Sequence, residues 1–444
     1  MITPEAVSIL ILVVTYAFLF TDRFHGLHRT PLAMAGAVAM IIAGKLLGFY
    51  PTFPDEGAGG HDVITALGAV DWNTLGLLFG MMVIVGIFEE TGIFEHIAIR
   101  LAKITGGSYW RLMIALGWFT FIASALLDNV TSVIFVSSIT VSIASILGVN
   151  PIPLLISEAI MSGVGGMATL IGDPPNVIIG SAAGFSFVDF LIYLTPIAIV
   201  VGLATTGVFR LLFRESVTFQ HENPESLDEL NADEALKDRG MLKKMGVVFG
   251  LVIVLFFIHG IVHMEASEVA ITGASLALVW ARPTLSDILA RVKWDVLLFF
   301  GGLFVIVGGL EAAGVLGEIA QWLGTVIQQN PVLALLVVLW GSAFLSAIVD
   351  NIPFTIAFAP ILVTLQGTGV DVFPFWWTLA AGVALGGVAT PIGASANVYV
   401  VSLAEHSGYP ISFARWMRAG MPAAVVQLLI ASIIIYGMNQ LGVF

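Results

Sequence analysis

Apolar runs of about 17–25 residues, the length an α-helix needs to cross a ~30 Å hydrocarbon layer, recur from end to end of the chain, as around residues 6–20 and 245–259 with their flanks. The polar interruptions between and within these runs are of two kinds. In SALLDNVTS (residues 124–132) and SAIVDNIPF (346–354), an Asp-Asn pair stands in the middle of an apolar stretch. In ATLIGDPPNV (168–177) and ATPIGASANV (389–398), Pro and Gly break a run that reads as a crossing helix. The pattern predicts an all-α polytopic membrane protein with helices interrupted at membrane depth. The opening stretch, MITPEAVSILILVV, has neither a basic n-region nor a small-residue cleavage site, so it reads as the first membrane helix.

The interruptions recur at a constant offset. Asp128-Asn129 and Asp350-Asn351 lie 222 residues apart, and the same offset superposes Trp72 on Trp294, Gly80 on Gly302, Gly86 on Gly308, Glu89 on Glu311 and Gly92 on Gly314. At 221 residues Thr169 meets Thr390, Gly172 meets Gly393 and Asn176 meets Asn397. Such agreement over separate stretches marks an internal duplication. The expected organisation is a first repeat over residues 1–213, with a hairpin around 110–147 and a broken helix over 151–184. A charged linker follows at 214–244, then a second repeat over 245–444 with its hairpin around 331–367 and its broken helix over 373–408.

Lys and Arg fix the expected orientation, because cytoplasmic loops hold their excess. They cluster at Arg23 and Arg29, at Arg100, Lys103 and Arg111, at Arg214 and residues 237–244, at Arg282, Arg291 and Lys293, and at Arg415 and Arg418. Residues 48–71, 264–269 and 311–330 have none. A chain threaded through these marks has both termini outside, its linker in the cytoplasm and two re-entrant hairpins that enter from opposite sides. Each repeat then keeps five crossings, an odd number, and the second is inverted relative to the first. This is the plan of an inverted-repeat transporter.

Broken helices survive at membrane depth only inside protein or beside a wet cavity. If each hairpin tip lies against the break of its own repeat, four half-helix ends meet near the midplane. The expected solute site is then Ser124, Asn129, Thr169, Gly172, Asn176, Ser346, Asn351, Thr390, Gly393, Ser395 and Asn397. Asp128 and Asp350 are the expected proton-coupling groups, since an intramembrane carboxylate costs roughly 2.5–3.5 kcal/mol on insertion scales and is kept for a use. Asp173, whose counterpart is Ala394, reads as a helix cap. Glu89 and Glu311 read as structural residues at a helix junction, Trp72, Trp294, Trp376 and Trp377 as interfacial anchors, and IFEHIAIRLAKITG (residues 93–106) as an amphipathic helix on the cytoplasmic surface.

Composition agrees with a membrane class. The chain of 444 residues is 58% hydrophobic and 11% charged, with a mean hydropathy of +1.00. Its net charge of −13 comes largely from loops such as residues 222–238, a segment that reads as a solvated connection. No cysteine occurs, which excludes disulfides, thiolate metal sites and cysteine nucleophiles. No metal or other cofactor is expected, because His259 and His263 lack a third ligand. Nucleic acid is not an expected partner, since no basic patch exists.

The two tips and two breaks resemble those of the ion-transporter superfamily, in particular the branch of ArsB-type arsenite/antimonite efflux permeases and P-protein-like permeases. NhaD-type sodium/proton antiporters, citrate–metal symporters and dicarboxylate/sodium symporters are more distant relatives. The resemblance implies a homodimer and an elevator-like movement of the hairpins and broken helices against a scaffold of the other helices. In the sodium-coupled relatives the tips and breaks hold ion and substrate, which carries Ser124, Asp128, Asn129, Thr169, Gly172, Ser346, Asp350, Asn351, Thr390 and Gly393 into the site by resemblance. The dicarboxylate branch typically has Ser-Asn-Thr tips, whereas here an Asp precedes each Asn, and two carboxylates would repel a dicarboxylate.

The expected activity is therefore secondary export of arsenite or antimonite, as the neutral trihydroxide, by proton antiport across the cell (inner) membrane. Na⁺/H⁺ exchange or transport of an organic or inorganic anion is the alternative within the superfamily. No Walker motif occurs, so a separate ATPase subunit is a candidate partner. An intramembrane enzyme with an aspartic dyad is the reading from another class; the duplication suits alternating access better, and no enzyme is expected.

Overall fold

The computed structural model describes residues 3–21, 26–50, 65–66, 68–217 and 231–444. Arg23, residues 51–64 of the cation-free segment and residues 218–230 of the expected linker lie outside the described residues. Side chains at the ends of runs decide where helices start and stop. Thr3 accepts the amide of Ala6 and opens α1 (Pro4–Phe20), and α2 (Arg29–Leu47) closes on left-handed Gly48. Asp71 caps α3 (Trp72–Thr91) through Thr74, and left-handed Gly92 turns the chain into the amphipathic α4 (Ile93–Ile104).

The first hairpin is α5 (Tyr109–Leu126) and α6 (Asn129–Leu147). The first broken helix is α7 (Ile152–Gly166) and α8 (Pro174–Ala183), with α8 bent by 111° from the short α9 (Phe187–Tyr193). The repeat continues with α10 (Thr195–Leu212), and α11 (Arg214–Val217) is a single turn. The second repeat begins with α12 (Arg239–Ile258), which starts inside the segment expected as linker, then α13 (Ala266–Ala281) and the short α14 (Leu285–Arg291). There follow α15 (Trp294–Ala312), the amphipathic α16 (Val315–Gln329), the hairpin α17 (Pro331–Val349) and α18 (Asn351–Gly367), the broken helix α19 (Phe373–Gly387) and α20 (Ser395–His406), and α21 (Phe413–Gln440).

Among the described residues, nine helices are long and apolar enough to span a membrane, or ten if the bent pair is one span, and shorter apolar helices include α7, α13 and α18. The two repeats interleave with a pseudo-two-fold exchange of partners. Helix α3 packs on α13 while its counterpart α15 packs on α2; α6 packs on α20 while α18 packs on α8; α10 packs on its own counterpart α21. Gly80 and Gly302 show why the exchange is close. A methyl group on Gly80 would stand 2.6 Å from the backbone of Ala270 in α13, and one on Gly302 would stand 3.0 Å from that of Ala33 in α2. The fold is thus an all-α bundle of two inverted repeats. One set of helices (α1–α3, α12, α13 and α15) surrounds a second set made of the hairpins and broken helices.

Candidate functional site

Each hairpin tip seats against the break of its own repeat through backbone that only glycine can bring so near. A methyl group on Gly172 would lie 2.6 Å from Gly166 O within the break and 2.8 Å from Ser124 O of the hairpin, and one on Gly393 would lie 2.6 Å from Gly387 O within the break and 3.2 Å from Ala347 Cα of the hairpin. Behind each contact the polar side chains close the broken helices. Asn176 Nδ2 donates to the carbonyls of Gly166, Met167 and Thr169 at 3.1, 3.1 and 2.8 Å, and Asn397 Nδ2 donates to those of Gly387 and Thr390 at 2.9 and 2.8 Å. Thr169 and Thr390 donate to Ala125 O and Ala347 O of the facing hairpins. Ser124 donates to Ser162 O and Ser346 to Val383 O. These groups satisfy carbonyls that a helix end would otherwise leave unpaired in a dry interior.

A cavity of about 90 Å³ lies in front of them, lined by Asp128, Asn129, Asp173, Asp350, Asn351, Ser395 and Lys293 together with apolar residues of α3 and α15 such as Met81 and Val296. Of the residues expected from sequence, Asn129, Asn351, Ser395, Asp128 and Asp350 line it. Ser124, Thr169, Gly172, Asn176, Ser346, Thr390, Gly393 and Asn397 do not, and shape the walls from behind.

The two aspartates that match in sequence differ in structure. Asp128 has extended backbone and caps α6, its Oδ1 accepting Thr131 N at 2.7 Å. Asp350 makes no such cap. Its φ is +84°, and its Oδ2 accepts Arg29 Nη1 at 2.9 Å and Ser395 Oγ at 3.3 Å. Arg29 begins α2, outside the hairpin set. Lys293, just before α15, donates to Thr131 Oγ1 at 3.2 Å.

Asp173 corrects the cap reading. It occupies the N-cap position of α8, yet its side chain makes no cap bond; Oδ1 accepts Asn129 Nδ2 at 3.0 Å and Oδ2 has no partner, although the residue is only 2% exposed. Asn129 Oδ1 is buried and without a partner as well. The Asn351 amide is best satisfied with its nitrogen toward Ser346 Oγ and the carbonyl of Gly393, 2.9 Å away. The amide a cap would take, Asn176 N three positions on, donates to the Asp173 carbonyl at 2.9 Å and not to its side chain. Among the described residues no three His, Asp or Glu side chains converge closely enough to hold a metal ion.

The other candidates lie apart. Glu89 pairs with Arg291 at 2.7 Å, and Glu311 lines a separate cavity with Asp71 and Ser181. His259 uses both ring nitrogens on Phe187 N and Met264 O, a structural role. Trp72 and Trp294 are exposed, but Trp376 and Trp377 are buried, in an aromatic cluster with Phe185 and Tyr193, so packing and not an interface holds them.

Comparison with known proteins places this geometry among transporters. A family model described as citrate transporter matches residues 15–382. The 46 kDa membrane protein of Mycobacterium leprae is 37% identical over 435 residues, covering 97% of this chain and 98% of that protein. The P protein of Homo sapiens is 31% identical over 504 residues, covering 96% of this chain and 59% of its own length. The solved structure of the Alcanivorax borkumensis YdaH transporter, reported to have an unusual topology, matches with a TM-score of 0.63 at 14% identity, covering 94% of this chain and 99% of that one.

Proposed function

The chain belongs to the citrate transporter family, whose members are multi-pass membrane transporters, and from that premise we propose that it exports arsenite or antimonite as the neutral trihydroxide in exchange for protons. The observation that carries this reading is the chemistry of the unpartnered atoms in the cavity. Asp173 Oδ2 and Asn129 Oδ1 are acceptors, and Asp128 and Asp350 add further carboxylates, so that acceptors outnumber the cations, of which Arg29 is paired with Asp350 and Lys293 gives one N–H to Thr131. An occupant that satisfies them must bring donors. A trihydroxide offers three O–H groups that also accept from the Asn and Ser donors of the walls. Citrate offers mainly acceptors, and the ~90 Å³ cavity is small beside the ~300–1,000 Å³ usual for larger organic ligands, so the name of the family is a weak guide to this cargo.

Na⁺/H⁺ exchange is the second reading, favoured by the same carboxylates and by the amide and hydroxyl oxygens beside them. In the proposed cycle a proton taken up from outside neutralises the site carboxylates, and its release inside restores acceptors for the cargo, which the return movement exports. A ligand shifts a two-state equilibrium only by its differential affinity, so proton and cargo must favour different states. The hairpins and broken helices would move as an elevator against the surrounding helices, within a homodimer in the inner membrane, with both termini outside and the linker in the cytoplasm. A separate ATPase subunit would add to this drive without replacing it.

The test is flux into and out of proteoliposomes under an imposed pH gradient, with arsenite, antimonite, Na⁺, Li⁺ and citrate as cargo. Uphill movement of the trihydroxides alone is expected. Gradient-driven flux of citrate, with none of arsenite or antimonite, would overturn the reading.

A further inference from the structure

The second hairpin tip is held to the surrounding helices through its carboxylate, whereas the first is met by Lys293 at a neutral hydroxyl, that of Thr131. Arg29, at the first position of α2, reaches Asp350 with its guanidinium 2.9 Å from Oδ2. The Asp350 side chain is 6% exposed and that of Arg29 34%. Tyr16 of α1 adds a bond to the same tip, its hydroxyl donating to Pro353 O at 2.9 Å.

The reason for the difference is written in the sequence. Asp128 caps α6 through the amide of Thr131, and the residue three positions after Asp350 is Pro353, which has no N–H to give. Asp350 is thereby freed from the role its counterpart plays. Its φ of +84° and ψ of 147° lie in a region that L residues enter only when their surroundings hold them there. What holds the carboxylate is Arg29 from one side and Ser395 from the other, and Ser395 stands where the first repeat has Pro174, which could donate nothing.

We propose that the Arg29–Asp350 ion pair is a latch that fixes the second hairpin tip to the surrounding helices while the site is empty and Asp350 is ionised, and that Asp350, not its sequence counterpart Asp128, carries the coupling. This deepens the proposed function and rests on the chain being a proton-coupled carrier. Protonation of Asp350 removes the charge that Arg29 holds, and the tip is released. An empty, ionised carrier stays bound to its frame, and this contact prevents slippage. The charged groups that face Asp350 are Arg29 from α2, Lys293 ahead of α15, Asp173 from the first break and Asp128 from the other tip. Lys293 donates to Thr131 and so steadies the first tip in a way that does not depend on Asp350. Arg29 acts through Asp350 and is a positioning residue.

The experiment uses the absence of native cysteine. Val296 of α15 and Ile352 of α18 line the cavity from the frame and from the tip, so the pair Val296→Cys and Ile352→Cys reports their apposition through a short bifunctional maleimide. Cross-linking is measured in membranes without cargo, at mildly alkaline and mildly acidic pH, in otherwise unchanged protein and with Arg29→Gln added. The ratio of the two yields at one pH cancels the pH dependence of the thiols. It is expected to be several-fold above one at alkaline pH and to fall toward one at acidic pH. Arg29→Lys should restore it, Asp350→Asn should hold it near one throughout, and Asp128→Asn should keep its pH response. A ratio of one at every pH, or a response abolished by Asp128→Asn and kept by Asp350→Asn, overturns the latch. Because no cargo is present, a latch that behaves as expected in protein that moves no arsenite would refute only the cargo.

Discussion

Replacing Asn176 by Ala separates closing the first break from binding the cargo. Its amide is 1% exposed and gives two N–H groups to three carbonyls, those of Gly166, Met167 and Thr169. These belong to the last turn of α7 and the break that follows, where no intrahelical donor is left. Ala removes both donors and leaves the acceptors dry. Thr169 O also accepts Gly172 N at 3.4 Å, so two carbonyls lose their donor; at ~1–3 kcal/mol for each buried group left unsatisfied the loss is ~2–6 kcal/mol, a large part of the ~5–15 kcal/mol that holds an ordinary domain. The measurements are the thermal midpoint of the detergent-solubilised protein and the concentration dependence of solute flux. A lowered midpoint is expected, with flux falling in maximal rate more than in apparent affinity. Asn397→Ala, which removes two such bonds, should act in the same direction. An unchanged midpoint together with a weakened apparent affinity would refute the reasoning and return Asn176 to the cargo.

Two further outcomes follow from the same geometry. Gly172→Ala places a methyl group against Gly166 O and Ser124 O, at 2.6 and 2.8 Å, with backbone on both sides, so overpacking of ~1–3 kcal/mol should appear as a lower thermal midpoint; Gly393→Ala, whose second contact is 3.2 Å away, should cost less, and an equal or opposite order would show that the tip does not seat there. For the proposed orientation, a cysteine replacing the exposed Asn150 should be labelled by an impermeant maleimide from the cytoplasm and one replacing the exposed Gly369 from outside, whereas labelling of both from one side would rule out hairpins that enter from opposite faces.

Much of the architecture was legible because duplication repeats its own evidence. The matched tips, matched breaks and matched glycines pointed to inverted repeats, and Gly80 and Gly302 do stand at exchanged helix contacts. The site was legible in outline and less so in its division of labour. Asn and Thr at a helix break look the same whether they face a solute or a carbonyl, and only the packing shows that Asn176, Asn397, Thr169 and Thr390 face carbonyls. Arg29 lies 321 residues from Asp350, so periodicity and spacing could not join them. The burial of Trp376 and Trp377 was hidden for a similar reason, since their partners Phe185 and Tyr193 come from the other repeat.

The departures from symmetry carry the function further than the symmetry does. Thr131 against Pro353, Asp173 against Ala394 and Pro174 against Ser395 are substitutions at equivalent points of two repeats that otherwise close their breaks alike. In the first repeat Asp173 makes no side-chain cap, and it turns into the cavity with an oxygen unpartnered. In the second, Pro353 releases Asp350, and Ser395 and Arg29 take hold of it. One repeat thus supplies a vacant acceptor and the other a carboxylate tied to the frame. A carrier with two identical tips would present the same chemistry to both sides and would have no place where a proton alone changes the hold of the frame on the moving part. In the proposed latch the unequal tips provide that place: a proton on Asp350 would break its ion pair with Arg29, while the cap that Asp128 gives to the Thr131 amide lies within the hairpin. On that proposal the duplication would supply two states of equal architecture, and the divergence within the tips and breaks the chemical difference by which a proton favours one of them.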